Sequence, residues 1–178
     1  MMNQNQKINM LADFSYQDDE VKIRPIELND FHDYYLLYND FDNTKYLSID
    51  NFENDKVAFH MLKNLYFSKE YESYGYVIIK DSRVVGLFDI FEIVNNSAQI
   101  SYILLPEYQK KGIMGKVLKI FIKYLKKNTQ IYEICAKILN DNFQSLKLLN
   151  NLGFEKAYEE KMIIKDKLEY LSCYKIKL

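Results

Sequence analysis

A turn that opens directly into a helix is the part of the sequence best suited to chemistry. The residues PEYQKKGIMG follow an apolar, strand-like run and precede a long amphipathic pattern. The first N–H groups of a helix lack partners within it, and the helix dipole is positive there, so the turn can bind phosphate. Gly112 and Gly115 permit close backbone approach, and Lys110, Lys111 and Lys116 add positive charge. The pattern predicts an anion site, although a tight turn with solvated lysines explains the same residues.

The same turn matches neither of the two most familiar nucleotide-binding motifs. A P-loop requires Gly-Lys-Ser/Thr at the end of its turn, and no such triplet is present. A dinucleotide-binding fold requires G-x-G-x-x-G with an acidic residue about 20 positions later, which the sequence also lacks. The expected anion site is therefore of another type.

Two stretches resemble the motifs of one family. Gln109-Lys110-Lys111-Gly112-Ile113-Met114 is similar to Q/R-x-x-G-x-G/A, the signature of the GNAT acetyltransferase superfamily, and follows the Pro-Glu-Tyr lead-in usual there. Met114 stands at the last small position, a departure familiar in the Rim-type branch, which acetylates protein N-termini and small amines. Asn142 and Ser145, followed by Leu148-Leu149 and Gly153-Phe154, resemble the N-x-x-S…L…G-F motif of that branch. The chain is identified as a member from about Val21 onward.

The resemblance implies acetyl-CoA as the cofactor. The end of a strand is expected to pair with the pantetheine arm, the turn to hold the diphosphate, and Asn142 to bind the pantetheine amides or to cap a helix. The predicted cofactor-binding residues are Ile103, Leu104, Leu105, Gln109, Lys110, Lys111, Gly112, Ile113, Met114, Gly115, Asn142 and Ser145.

Acetyl transfer to an amine also needs a proton donor for the departing thiolate. In many relatives a tyrosine in the helix of the second motif supplies this proton, but Leu149 stands at that position here. Ser145 is the best substitute, although it also suits a purely structural role as a small residue at the helix start. Tyr102 and Tyr108 are further candidates. A backbone N–H near Leu104 is expected to stabilise the developing oxyanion.

The proton acceptor is less evident from the sequence. Many relatives carry Ala-Glu-Ile on the fourth strand, whereas this chain has Ala98-Gln99-Ile100, and glutamine can hold a water but cannot accept a proton. Asp89 and Glu92 are replacement candidates, although each also suits a solvated strand position. A weak base favours an α-amino acceptor, because deprotonation at pH 7 costs about 1 kcal/mol there and about 4.6 kcal/mol for lysine.

The acceptor is expected to lie between the first two helices and the sheet. Tyr34, Tyr38 and Tyr46 are the predicted substrate-binding residues, and Asp40 and Asp42 could attract a cation. The expected acceptor is a small amine or a protein N-terminus. A coenzyme A-binding regulatory module without turnover is the alternative, supported by Gln99 and by the missing tyrosine.

The elements that position these residues can be outlined from hydrophobic periodicity and turn signals. Strands are expected near residues 21–26, 74–80, 83–94, 98–105, 131–138, 154–164 and 168–177, and helices near 31–39, 54–68, 113–127 and 145–152. In the second helix, Val57, Met61, Leu62 and Leu65 are expected to share the buried face. This order predicts a single α/β (α+β) GNAT-like domain whose mixed, mostly antiparallel sheet has six to seven strands flanked by about four helices.

Composition sets the remaining expectations. The 178 residues suit one domain at 21–178 with an N-terminal extension at 1–20 that packs loosely or forms a short helix. A formal charge of -1 offers no general field for nucleic acid, and no apolar run approaches the roughly 18 to 20 residues of a membrane span. The absence of a secretory signal and two unbridged thiols, Cys135 and Cys173, predict a cytoplasmic protein, and two isolated histidines argue against a metal site. Exposed aromatic residues are compatible with a homodimer.

Overall fold

A computed structural model describes residues 10–68 and 70–178. The described chain forms one mixed sheet with helices on both faces. Its strands are β1 Tyr16–Gln17, β2 Lys22–Pro25, β3 Tyr74–Lys80, β4 Arg83–Val94, β5 Ser97–Leu104, β6 Glu133–Leu139, β7 Glu155–Ile164 and β8 Lys167–Lys177. Its helices are α1 Phe31–Tyr38, α2 Phe41–Thr44, α3 Asp55–Phe67, α4 Ile113–Asn128 and α5 Phe143–Asn151, with 3-10 turns at Leu28–Asp30 and Pro106–Tyr108. In this described part, no helix is both long and apolar enough to span a membrane.

The sheet has the order β1-β2-β3-β4-β5-β6-β8-β7 and is antiparallel except between β5 and β6. The predicted fold class is confirmed, with eight strands in place of six to seven. The additional strand is β1, which pairs Tyr16 with Ile23 and so removes β2 from the edge that the sequence assigned to it.

The parallel pair β5–β6 is the feature that creates the site. The two strands pair only from Ser97 to Gln99 and from Glu133 to Cys135. Beyond these residues β5 continues to Leu104 and β6 to Leu139 without a shared ladder. Facing strand edges with unpaired backbone groups can accept an added extended chain. The sheet is therefore split at its centre.

Each face of the sheet has its own core. Helices α1 and α3 cover what we call the front face, where Tyr34, Leu37 and Leu62 meet Val77, Leu87 and Ile103. Helices α4 and α5 cover the back face, where Val117, Phe121 and Leu149 meet Tyr76, Phe88 and Ile90. Consecutive residues on a strand point to opposite faces, so each strand supplies both cores.

Two predictions about packing need correction. Val57 and Met61 of α3 are exposed, whereas Ala58 and Leu62 are fully buried, so the helix is rotated from the expected face. The extension is predicted either to pack loosely or to form a short helix. In its described part residues 10–12 are helical, and loose packing is wrong there, since Leu11 and Phe14 are buried and the centre of the Phe14 ring lies 5.0 Å from that of Phe121. The predicted domain boundary at residue 21 stays a prediction.

Candidate active site

The amino end of α4 has the features of an anion site. Gly112 precedes the helix with φ +78, a left-handed conformation suited to glycine, and a Cβ built there would meet no atom within 4 Å. The Lys116 N–H donates to the Gly112 carbonyl, so the three N–H groups before it have no partner within the helix. Within the described residues no side chain caps α4, and its first turn holds no acidic residue. The amino end is thus open to a diphosphate.

The lysines around this turn are not equivalent. Lys110 is exposed, and Lys111 Nζ lies 5.5 Å from the centre of the Tyr108 ring. Lys116 Nζ lies 2.7 Å from Asp18 Oδ2 and 2.5 Å from Glu20 Oε2, and these carboxylates raise its pKa. The charge that the sequence assigns to the anion site at Lys116 is therefore already neutralised by the N-terminal segment.

A cleft of about 690 Å³ lies between this turn, the end of β5 and the start of α5, which follows β6. Of the predicted cofactor-binding residues, those that line it are Ile103, Leu104, Gln109, Lys110, Gly112, Ile113, Met114, Gly115, Asn142 and Ser145. Leu105 and Lys111 do not line it. The structure therefore gathers most of the predicted set around one opening.

At the mouth of the gap between β5 and β6, the backbone of β5 stays paired with β4 and no longer pairs with β6. The Leu105 N–H donates to the Val85 carbonyl on β4 at 2.9 Å, so it is not free to pair with a cofactor. Backbone groups of successive strand residues point in opposite directions, which turns Leu104 toward the gap. Gln109 Nε2 occupies the Leu104 carbonyl at 2.9 Å, which leaves the Leu104 N–H as the donor directed at the gap.

Two hydroxyl groups lie on the back-face side of the gap. The Tyr102 hydroxyl oxygen is buried and has no hydrogen-bond partner within the described part of the chain. Burial raises the pKa of Tyr102 to about 12. The nearby Ser145 side chain partly offsets this increase, although no hydrogen bond joins the two side chains. Asn142 Oδ1 accepts from the Ser145 N–H at 3.2 Å, so the predicted helix cap is present and fixes Ser145 at the start of α5.

A buried carboxylate lies on the front-face side. Asp89 Oδ1 accepts from Ser101 Oγ at 2.5 Å, and Oδ2 accepts from Tyr66 Oη at 2.9 Å. Burial raises the pKa of Asp89, and the two hydroxyl donors partly offset this. Tyr66 reaches Asp89 because its ring lies over Gly75, where a Cβ would come within 2.8 Å of it.

The other proposed bases are placed differently. Glu92 is exposed at an irregularity of β4, and Gln99 lies on the paired part of β5 with Oε1 3.9 Å from Cys135 Sγ. Neither residue lines the cleft, and neither does Asp89. Asp89 is hydrogen-bonded to Ser101, which lies on the part of β5 that no longer pairs with β6, although Ser101 does not line the cleft either.

The predicted acceptor residues separate into two groups. Tyr46 and Asp42 line the cleft. Tyr34 and Tyr38 lie in the front-face core with 2% and 7% of their surface exposed, so they do not form part of the cleft wall. The Asp40 carboxylate accepts from the Asn43 N–H as the cap of α2, and Asp40 does not line the cleft.

Sequence reasoning missed several contacts of the site. Ser101 and Asn43 were not predicted as site residues, and Tyr66 was expected only among the aromatic residues of the acceptor region, because each acts through a partner that only the fold brings near. Tyr66 and Asp89 are 23 residues apart, and Gln109 and Asn43 are 66 apart. No local pattern marks such pairs.

The acetyltransferase (GNAT) domain family matches residues 20–155. The chain is 28% identical to spermidine N(1)-acetyltransferase of Escherichia coli over 138 residues, 75% of this chain and 72% of that protein. It is 29% identical to the [ribosomal protein uS5]-alanine N-acetyltransferase of Escherichia coli over 79 residues, 43% of this chain and 41% of that protein.

Solved structures show the same fold. The microcin C7 self-immunity acetyltransferase MccE, in complex with acetyl-CoA and AMP, superimposes with a TM-score of 0.82 at 20% identity, covering 90% of this chain and 94% of that one. Spermidine N-acetyltransferase from Vibrio cholerae, in complex with CoA and spermine, gives 0.78 at 19% identity, covering 90% and 96%. The chain belongs to the GNAT acetyltransferase family and is an acetyl-CoA-dependent N-acetyltransferase.

Proposed function

We propose that this enzyme acetylates a primary amine, either a small amine or the α-amino group of a protein N-terminus, by direct attack on the thioester. The observation that carries the proposal is the arrangement at the unpaired end of β5. Ser101 points to the front face and donates to Asp89, while Tyr102 points to the back face beside Ser145. A candidate proton acceptor and a candidate proton donor thus lie on opposite faces of the same end of β5.

The cofactor would be held by backbone groups more than by side chains. The N–H groups of Ile113, Met114 and Gly115 would bind the diphosphate, with Lys110 adding charge, and the Leu104 N–H would bind in the gap. When bound, acetyl-CoA supplies the thioester whose carbonyl carbon is attacked. A Leu104 N–H aimed at the carbonyl oxygen would stabilise the charge that develops there.

The proton for the leaving sulfur is assigned to Tyr102 together with Ser145. Leu149, at the position where many relatives have tyrosine, is fully buried and apolar. The buried Tyr102 hydroxyl needs a partner, because an unsatisfied buried donor costs about 1–3 kcal/mol. With a pKa of about 12 it stays protonated at working pH and can donate to sulfur as the carbon–sulfur bond breaks.

The proton released by the amine is assigned to Asp89 by way of Ser101. As the new carbon–nitrogen bond forms, Ser101 accepts the amine proton and passes its own to the carboxylate. A carboxyl group is a weak base even with its pKa raised by burial. Substrates that lose a proton readily are therefore favoured, and an α-amino group costs about 1 kcal/mol at pH 7 against about 4.6 kcal/mol for lysine.

The named relatives support both acceptor types. One is a spermidine N(1)-acetyltransferase and another acetylates the alanine of ribosomal protein uS5. The weak base tilts the proposal toward the α-amino acceptor. The predicted homodimer and cytoplasmic location stay predictions.

Release of free coenzyme A thiol tests the proposal. The panel contains a peptide with a free alanine N-terminus, the same peptide N-terminally blocked but with one lysine, and spermidine, each assayed between pH 6.5 and 9. We expect release to depend on the amine and, at pH 7, to be faster with the free N-terminus than with the lysine peptide or spermidine. Tight acetyl-CoA binding without amine-dependent release would instead support a non-catalytic regulatory module.

A further inference from the structure

Residues 40–47, which we call the strap, form the part of the cleft wall that the cofactor motifs do not explain. Asp42, Asn43, Lys45, Tyr46 and Leu47 line the same cleft as the amino end of α4. The strap contains α2 and follows α1 on the front-face side, where Asp89 and Ser101 also lie. Contacts with two distant parts of the chain hold it in place.

Asn43 of the strap is hydrogen-bonded to the turn before α4. Gln109 Nε2 donates to Asn43 Oδ1 at 3.0 Å and to the Leu104 carbonyl at 2.9 Å. Asn43 is itself buried, with 7% of its surface exposed, and its amide nitrogen approaches the Leu37 carbonyl at 3.4 Å. Through Gln109, the strap is therefore joined to the end of β5.

Thr44 and Tyr46 of the strap contact the strands on the β6 side of the gap. Tyr46 packs against Leu139 of β6, Ile164 of β7 and Leu171 of β8. Lys165 Nζ, from the turn between β7 and β8, donates to the carbonyl of Thr44 in the strap at 3.1 Å. Because β5 and β6 diverge beneath these two anchor points, the strap bridges the gap on the front-face side.

Both N–H groups of the Gln109 side-chain amide are used in this bridge. A side-chain amide nitrogen carries two hydrogens, and those of Gln109 are both donated, one to the strap and one to β5. Only its amide oxygen remains, and an oxygen acceptor cannot stabilise a phosphate anion. Gln109 thus belongs to the cofactor motif by sequence, while its side chain serves the acceptor side of the cleft.

We propose that Gln109 is a positioning residue, whose hydrogen bond to Asn43 fixes the strap and thereby holds Tyr46 and Asp42 in place for the incoming amine. This inference rests on the proposed amine acetylation and on the expected acceptor site between the first helices and the sheet, and it assigns a residue of the cofactor motif to that site. Loosening the strap should raise the KM for the amine and leave the affinity for acetyl-CoA unchanged. A cofactor ligand would give the opposite pattern.

Gln109→Met keeps the length of the side chain and removes both hydrogen bonds. Its matched control is Gln130→Met, at an exposed position outside the cleft lining. Kinetics with each substrate varied, calorimetry with acetyl-CoA and melting temperature are measured for both variants. For Gln109→Met we expect the KM of the amine to rise about fivefold or more, as the loss of a hydrogen bond implies, and the Kd of acetyl-CoA to stay within about twofold.

Asn43→Ala provides a second, independent variant. If the contact acts as proposed, Asn43→Ala also raises the KM of the amine, and the double variant with Gln109→Met shows less than the product of the two effects. A rise confined to the KM or Kd of acetyl-CoA, or a fully multiplicative double variant, overturns the inference. A wild-type enzyme that binds acetyl-CoA but acetylates no amine overturns the proposed function instead, and the inference with it.

Discussion

Replacing Tyr102 by phenylalanine should make the protein more stable and the enzyme slower. The substitution removes one buried hydroxyl that has no partner within the described residues and leaves the ring in place. The physical reason for the gain in stability is that an unsatisfied buried donor is costly. The reason for the loss of activity is the assigned donation to sulfur.

Both magnitudes can be bounded. Removing an unsatisfied buried donor should raise the free energy of unfolding by about 1 kcal/mol, or the Tm by about 2–4 °C for a chain of this size. General acid catalysis contributes roughly 10²–10⁴-fold. The lower end applies here, because a thiolate with a pKa near 8.5 leaves readily and Ser145 remains beside the gap.

Tyr76→Phe is the matched control on the same face of the sheet. Its buried hydroxyl donates to the Leu11 carbonyl at 2.6 Å, so the same deletion removes a satisfied hydrogen bond. We expect Tyr76→Phe to lower the free energy of unfolding by about 1 kcal/mol and to leave kcat unchanged.

Urea unfolding and thiol-release kinetics at saturating acetyl-CoA measure the two effects. If Tyr102→Phe loses stability to the same extent as Tyr76→Phe, or keeps the wild-type kcat, then the assignment of Tyr102 as a donor is wrong. Because its pKa is about 12, the hydroxyl should also cause no loss of wild-type activity between pH 7 and 10.

Three further predictions follow from single contacts. Asp89 has a pKa raised above its unfolded value, so the folded state binds more protons and the wild type loses stability as the pH rises from about 4 through the folded-state pKa. Asp89→Asn should not show this loss of stability and should have a lower kcat, as urea unfolding and kinetics will show. Gly112→Ala and Gly153→Ala should each cost about 1–2 kcal/mol in urea unfolding, since both glycines are left-handed, but only Gly112→Ala should weaken acetyl-CoA binding in calorimetry. Lys116→Ala should leave the Kd of acetyl-CoA unchanged because this lysine is ion-paired, whereas Lys110→Ala should raise it about two- to fivefold.

The features that the sequence predicts well are local ones. The turn before α4 and the Asn142 cap each depend on a few neighbouring residues, and the structure confirms them. Strand β1 and helix α2 have only two and four residues, so they are too short to carry a periodic signal.

The features that the sequence leaves open depend on register between distant segments. The position of Asp89 as a buried acceptor of two hydroxyl groups requires the pairing of β4 with β5 and the placement of α3 over Gly75. Tyr34 and Tyr38 looked equivalent to Tyr46 as cleft aromatics, but α1 packs flat on the front face and buries both. Only the tertiary fold separates them.

A crystal structure of the enzyme with coenzyme A tests the central claim most directly. We expect the diphosphate oxygens to accept from N–H groups at the amino end of α4 within about 3.2 Å, and the sulfur to lie in the gap beside Tyr102 and Ser145. A diphosphate bound away from α4, or a sulfur placed outside the gap between β5 and β6, would contradict it.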